Sequence, residues 1–159
     1  MTLRGHKMAF GGIKDAVNAS PYYQHLSMRL IEFSEKGSVM TMEINDNHKS
    51  VYGRAHGGAI ASLADSACSL ALVTVMEENE FIATQSLNVN YILPVEEGVL
   101  RAKGWVVYRG RHTAILEADI FDEAGRKVAH AHTVHVIRAL PEEEGENFID
   151  KVRKSKVME

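Results

Sequence analysis

A single acidic residue, Asp65, interrupts a long run of small and apolar residues at positions 57–76, which reads GGAIASLADSACSLALVTVM. A lone carboxylate in apolar surroundings carries a large desolvation cost, so Asp65 is expected to have a partner or a chemical task. The run opens at His56-Gly57-Gly58, where the free backbone N–H groups of a helix start can bind an oxyanion. An oxyanion site with a carboxylate about two turns later is a combination suited to catalysis.

The same run predicts a buried helix, because its residues are apolar on every side. A membrane-spanning helix needs about 20 predominantly apolar residues, so the length alone would allow a span. However, Asp65 lies near the centre and no Lys or Arg belt flanks the run. Because a central carboxylate is costly in lipid, we expect no association with a membrane.

The composition predicts an ordinary globular protein with one domain over residues 1–159 and a core at about 26–138. The chain is 45% hydrophobic and 25% charged, with a net charge of −3. This charge gives no electrostatic basis for binding nucleic acid. Cys68 is the only cysteine, and the N-terminus lacks the apolar segment of a signal peptide. These features predict a cytoplasmic protein.

Outside this helix the pattern is mostly that of strands joined by short turns. A helix over 13–25, broken or kinked by Pro21, precedes the strands, and a solvated helix is predicted from residue 141 onward. The predicted strands are residues 28–35, 38–45, 84–93, 99–109, 113–122 and 126–138.

Tight turns between consecutive strands, including one at Pro94–Gly98, predict an antiparallel sheet that the last strand closes. The fold class is therefore α+β, with one curled sheet wrapped around one long central helix. The outer face and the edge strands of such a sheet need cover, which a second subunit supplies most simply.

The segment GRAHGGAIASLADSA, residues 53–67, resembles the signature of the hotdog-fold thioesterases, in their phenylacetate-degradation (PaaI-like) branch. The order of elements is similar to that fold from about residue 26 to 138. The resemblance implies an enzyme that hydrolyses an acyl- or aryl-CoA thioester with water and uses no metal or prosthetic group, coenzyme A being part of the substrate. It also implies a homodimer at minimum, and a homotetramer built as a dimer of dimers.

The resemblance also assigns catalytic roles. The Gly57 backbone N–H would polarise the thioester carbonyl, and Asp65, contributed across the dimer interface, would act as nucleophile or general base. His56 would help to fix the loop and the thioester, and Thr84 would hold the water or the carboxylate. Whether a carboxylate attacks the carbonyl or deprotonates water is left open.

Further residues are predicted to bind substrate. Relatives often carry Asn or Gln six or seven residues before the first helix glycine, where this chain has the shorter Ser50. Asn47 could replace that amide if the loop bends. Gly58 allows close backbone approach, and Tyr91 would line the acyl or pantetheine channel or simply pack.

The basic turn that follows Arg109 consists of Gly110, Arg111 and His112. Guanidinium geometry suits the phosphates of the CoA nucleotide. The alternative is an ordinary solvated hairpin, which the residues alone do not exclude.

Three histidines of the last strand invite a metal interpretation, which the pattern disfavours. His130 and His132 share one face, whereas His135 points the other way. A zinc site needs three or four convergent ligands, so we expect satisfied or exposed histidines instead. Cys68 is expected to fill core space.

Alternative interpretations remain for the central residues. Asp65 could be a structural carboxylate, and His56 could only cap the helix. The chain could then be a non-catalytic acyl-CoA-binding hotdog protein. A hotdog enoyl-CoA hydratase or dehydratase is a third alternative, although the Asp-x₄-His loop typical of those enzymes is missing here.

Overall fold

The computed structural model describes residues 4–35, 37–77 and 79–139, with side chains from residue 12 onward. Two helices open the chain, α1 (Arg4–Ala19) and α2 (Pro21–His25). Pro21 lies in the first turn of α2, where its missing N–H leaves no hydrogen bond unmade. The helix predicted over 13–25 is therefore divided before Pro21, as expected, and begins earlier than its pattern indicated.

The described residues form one six-stranded sheet in which all neighbouring strands are antiparallel. Its strands are β1 (Met28–Ser34), β2 (Gly37–Ile44), β3 (Glu80–Tyr91), β4 (Gly98–Arg109), β5 (Thr113–Phe121) and β6 (Lys127–Ala139). Their order across the sheet is β1-β2-β4-β5-β6-β3. The predicted strands are all present, although β3 begins four residues earlier than expected.

The expectation of a tight turn joining β3 to β4 as neighbours is wrong. β3 pairs with β6, and β4 lies between β2 and β5. The connection over residues 92–97 therefore crosses the sheet, because it joins β3 to β4 and two other strands, β6 and β5, lie between them. As a result β3, and not the last strand β6, forms one edge of the sheet.

The helix α3 (Gly57–Val73) packs against the sheet through strands β2, β4, β5 and β6. The helix and the sheet approach closely at Gly104 of β4, where an added Cβ would lie 2.4 Å from the Ala67 carbonyl oxygen. Ser38 of β2 donates a 2.7 Å hydrogen bond to that same oxygen. Glycine at 104 and a small hydroxyl at 38 therefore let the helix and the sheet come into direct contact.

The core lies between α3 and the inner face of the sheet. Met40, Met42 and Ile44 of β2 are buried, which confirms the alternation read from the sequence. On β5 the buried positions likewise alternate, from Ala114 to Ile120. The edge strand β3 differs, because most of its residues are exposed and they include the large side chains of Phe81, Leu87 and Tyr91.

Two further expectations concern the apolar helix and the residues after 140. Among the described residues, no helix is long and apolar enough to cross a membrane. The helix predicted from residue 141 onward lies outside the described residues.

Candidate active site

The carboxylate of Asp65 is tied to the edge strand by a hydrogen bond. Thr84 Oγ1 donates to Asp65 Oδ1 at 2.9 Å, joining α3 to β3. An ionised carboxylate can only accept, so the hydroxyl proton of Thr84 is committed to this bond. The structure thus brings together two of the residues that the resemblance singled out, and leaves Asp65 partly exposed.

A β-bulge turns Thr84 toward the helix. Thr84 lies opposite His135 of β6 and Ser86 lies opposite Val134, so the register shifts between these two β3 residues. In a regular strand Thr84 would share the face of Ser86. The extra residue reverses this alternation and aims the threonine hydroxyl at Asp65.

His135 is a member of this site that the sequence analysis missed. Its Nε2 lies 3.1 Å from Thr84 Oγ1 and 3.0 Å from Ser69 Oγ. Its Nδ1 lies 3.3 Å from Thr133 Oγ1. The prediction that His135 points away from His130 and His132 is confirmed by its complete burial. That alternation could have singled it out as a polar residue on the inner face.

The electrostatic environment keeps His135 neutral. Burial lowers the pKa of the imidazole below its ordinary value, because the charged form loses its hydration, and the nearby Asp65 carboxylate partly opposes this effect. The ring is therefore a neutral hydrogen-bonding group at ordinary pH.

At the start of α3, His56 is the N-cap residue, and its Nδ1 accepts from the Gly58 N–H at 2.9 Å. The Gly58 donor is thereby occupied. No group in the described part of the chain accepts from the Gly57 N–H. Of the two glycines, Gly57 is the one with a donor left for a ligand, and His56 has the capping geometry that the simpler interpretation foresaw.

Tyr91 holds the same helix start from the other side. Its hydroxyl donates a 2.7 Å hydrogen bond to the Gly57 carbonyl oxygen. That carbonyl and the Gly58 N–H belong to one peptide unit, which is therefore held at both ends, by Tyr91 and by His56. An added Cβ at Gly57 would lie 3.0 Å from Tyr91 Cζ and Oη, so a side chain at this position would crowd the ring.

Gly57 and Asp65 are too far apart in one protomer to act on one carbonyl. They are eight residues apart on the same helix, which corresponds to about 12 Å along the axis. A nucleophile and an oxyanion donor must each lie about 3 Å from the reacting atoms. Together these residues can form one reaction centre only if one of them comes from a second copy.

The loop before α3 places no amide on Asp65. Ser50 lies in a turn, where its N–H donates to the Arg54 carbonyl at 2.7 Å and its Oγ accepts from the Tyr52 N–H at 3.4 Å. Asn47 is exposed, and its N–H donates to Asn45 Oδ1 at 3.0 Å. Within the described residues, neither side chain reaches the carboxylate of Asp65 by a hydrogen bond.

Arg109 is engaged in an ion pair, whereas the side chains of the basic turn that follows it are exposed. Arg109 Nη2 lies 2.6 Å and 2.5 Å from the two carboxylate oxygens of Glu80. The pKa of Glu80 is lowered although burial opposes this, because the Glu77 N–H and Arg109 hydrogen-bond to the charged form. Arg111 and His112 are exposed beside Gly110, so they are the basic groups of this turn that can meet a ligand.

Cys68 is buried on α3, and burial raises the pKa of its thiol to about 12. Such a thiol is not a nucleophile at neutral pH. Within the part of the chain that the structure describes, no group of three His, Cys, Asp or Glu side chains could hold a metal ion. His130 instead contacts Asp119 at 2.8 Å on the outer face of the sheet.

Comparison with known families identifies the fold. The sequence model of the family described as "Thioesterase superfamily" matches residues 52–129, a range that includes Gly57, Asp65 and Thr84. The chain belongs to the thioesterase superfamily. Its curled antiparallel sheet and central helix are those of the hotdog fold, as the sequence analysis expected.

Relatives of this thioesterase-superfamily protein carry esterase, thioesterase or CoA hydrolase names. A Vibrio cholerae protein named as an esterase is 27% identical over 130 residues, which are 81% of this chain and 87% of that protein. A 1,4-dihydroxy-2-naphthoyl-CoA hydrolase of Listeria monocytogenes is 28% identical over 90 residues, 56% of this chain and 73% of the hydrolase. The crystal structure of a Haemophilus influenzae thioesterase superposes with a TM-score of 0.75 at 23% identity, covering 79% and 87% of the two chains.

Proposed function

We propose that this protein is an acyl-CoA thioesterase that hydrolyses an acyl- or aryl-CoA to a free acid and coenzyme A. The observation that carries the proposal is that Asp65 of α3 accepts a hydrogen bond from Thr84 of β3, while the first turn of the same α3 leaves the Gly57 N–H unoccupied. Membership of the thioesterase superfamily supports hydrolysis. The name of the Listeria relative supports a CoA thioester as the substrate.

In this mechanism the Gly57 N–H binds the thioester oxygen and stabilises the negative charge that develops on it. Asp65 either takes a proton from water, which then adds to the carbonyl carbon, or attacks that carbon to form an anhydride that water hydrolyses. In both routes the C–S bond breaks and the sulfur leaves as the thiol of coenzyme A, with a proton that comes from the consumed water, which Asp65 passes on when it acts as the base. No metal or prosthetic group is needed for these steps.

The proposed enzyme is at least a homodimer, in which Asp65 of one protomer faces Gly57 of the other. The separation of about 12 Å along one helix supports this arrangement, since neither protomer can complete a centre alone. The edge strand β3 also supports it, because its outer edge and large apolar side chains are exposed. A dimer of dimers, the PaaI-like branch and a cytoplasmic location stay predictions from the sequence.

The proposed substrate contacts follow the same geometry. Exposed Arg111 and His112 would meet the phosphates of the CoA nucleotide. Tyr91 would border the thioester through its position against Gly57. Ser50 is not within hydrogen-bonding distance of Asp65 in its own protomer, so its proposed contact is with substrate or with the second copy.

The test is thiol release from short aliphatic, long aliphatic, phenylacetyl and hydroxybenzoyl CoA esters. We expect turnover in the wild type and a loss of about 10²–10⁴-fold in Asp65→Asn, the range for a positioned acid–base group. Glu43→Gln, on an exposed position of β2, is the matched control that keeps the wild-type rate.

Each other outcome has a definite meaning. Undiminished turnover in Asp65→Asn would overturn the assigned mechanism. Calorimetric binding of CoA esters without thiol release would favour the binding-protein alternative, and an enoyl-CoA product without free thiol would favour a hydratase.

A further inference from the structure

We infer that His135 is a positioning residue, which holds the Thr84 hydroxyl and through it the Asp65 carboxylate in their working orientation. The inference rests on the proposed thioesterase function and extends it to a residue that does not touch the substrate. His135 and Asp65 have no direct hydrogen bond, and Thr84 lies between them at 3.1 Å and 2.9 Å.

Counting protons along this chain of contacts assigns the tautomer of His135. The one hydroxyl proton of Thr84 points to Asp65, because an ionised carboxylate has none to give. Thr84 Oγ1 must therefore accept at its contact with Nε2 of His135, so Nε2 carries the ring proton. Nδ1 is then an acceptor for the Thr133 hydroxyl at 3.3 Å.

The ring also contacts the helix that carries the carboxylate. Ser69 Oγ lies 3.0 Å from Nε2, one turn after Asp65 on α3. The Nε2 proton is thus shared between a hydroxyl of β3 and a hydroxyl of α3. Through these two contacts the histidine fixes the spacing of the strand and the helix at the point where Thr84 meets Asp65.

The cost of burying the ring argues for such a role. His135 is fully buried, and an imidazole in the core is expensive unless its nitrogens are hydrogen-bonded. The adjacent inward positions on β6 are Ala131, the hydroxyl donor Thr133 and Ile137, all of which are also buried. Both ring nitrogens contact hydroxyls, and one of these hydroxyls is the partner of Asp65.

The first experiment compares His135→Gln with His135→Leu. Glutamine can place an amide N–H near the position of Nε2 and keep the donor, whereas leucine fills similar volume without one. We expect His135→Leu to lower kcat about tenfold, the value of one hydrogen bond, at unchanged KM, and His135→Gln to recover most of the loss. His132→Leu, on the opposite face of the same strand, is the matched control.

A double-mutant cycle separates this role from simple packing. If His135 acts through Thr84, then His135→Leu causes no further loss of kcat in a Thr84→Val background. Independent, additive losses from the two substitutions would overturn the inference, and so would an equal loss of kcat in His135→Gln and His135→Leu.

Nitrogen-15 NMR of the imidazole in the wild-type protein provides a readout that does not depend on activity. We expect a neutral ring protonated on Nε2. The opposite tautomer, with Nε2 accepting from Ser69, would leave Thr84 without support and overturn the inference even in an active enzyme. Absence of thiol release from the wild type would instead defeat the proposed function and leave the tautomer result standing.

Discussion

The hydroxyl of Tyr91 donates a 2.7 Å hydrogen bond to the carbonyl oxygen of Gly57, so the end of β3 holds the first turn of α3. His56 holds the N–H of the same peptide unit through its Nδ1. The neighbouring N–H of Gly57 is thereby presented from a restrained backbone. Such preorganisation is what an oxyanion donor requires, because reorganisation during the reaction would reduce its benefit.

Removing this hydrogen bond should therefore slow the reaction without unfolding the protein. For Tyr91→Phe we expect kcat for thiol release to fall by up to about tenfold, because the ring remains while the bond to Gly57 is lost. Tyr52→Phe, at an 85% exposed position of the preceding loop, is the control and should match the wild type. Equal rates in Tyr91→Phe and the wild type would show that the bond does not contribute to catalysis.

Mixed dimers test the two-copy site. Asp65→Asn and Gly57→Val chains should each be inactive alone, the second because a branched side chain crowds Tyr91. A dimer purified with one chain of each kind has one centre with both defects and one with none, by symmetry. We expect about half of the wild-type activity per dimer, and inactive mixed dimers would place both groups of a centre in one protomer.

The contact of β4 with α3 should be sensitive to a single methyl group. In Gly104→Ala the new Cβ meets the Ala67 carbonyl at 2.4 Å, and backbone cannot move aside as a flexible side chain can. We expect the free energy of unfolding in urea to fall by about 1–3 kcal/mol. Lys103→Ala, the exposed neighbour on the same strand, should change it by less than about 0.5 kcal/mol.

The burial of His135 makes stability depend on pH. Because its folded pKa is lowered from 6.5, the unfolded state binds a proton more readily as the pH falls below that value. The contribution of His135 to the free energy of unfolding is at its full value above pH 6.5. It declines as the pH falls from 6.5 to the folded pKa, and it levels off below that pKa. When the free energy of unfolding is measured with urea at several pH values in this range, it should change less with pH in His135→Gln than in the wild type.

His112→Gln is the control for this pH dependence, since His112 is exposed in the turn between β4 and β5. This substitution should leave the change of the unfolding free energy with pH the same as in the wild type. An identical slope in His135→Gln and the wild type would mean that another group titrates in this range.

The sequence indicated the fold well because its strongest signals are local. Alternation at Met40, Met42 and Ile44 marked an inward face, and Pro21 marked the division between two helices. The neighbour of β3 could not be read, because pairing across the sheet depends on where the connection over 92–97 leads. Local pattern carries no information about that path.

The site was partly predictable for the same reason. Asp65 and Gly57 stand out by composition and motif, whereas the aim of Thr84 depends on a bulge that reverses the alternation of its strand. His135 is separated from Thr84 by 51 residues along the chain and meets it only through the β3–β6 register. Contacts of this kind become visible only when the strands are placed side by side.

In the proposed dimer, the eight-residue separation of Gly57 and Asp65 on α3 sets the spacing of the two reaction centres. Each helix contributes a donor to one reaction centre and a carboxylate to the other, so its pitch fixes both the distance between the centres and their relative rotation. One inserted residue between these positions would turn the carboxylate by about 100° around the helix axis. Because both subunits are encoded by one gene, a single insertion would alter both helices. Both centres would then lose their alignment together.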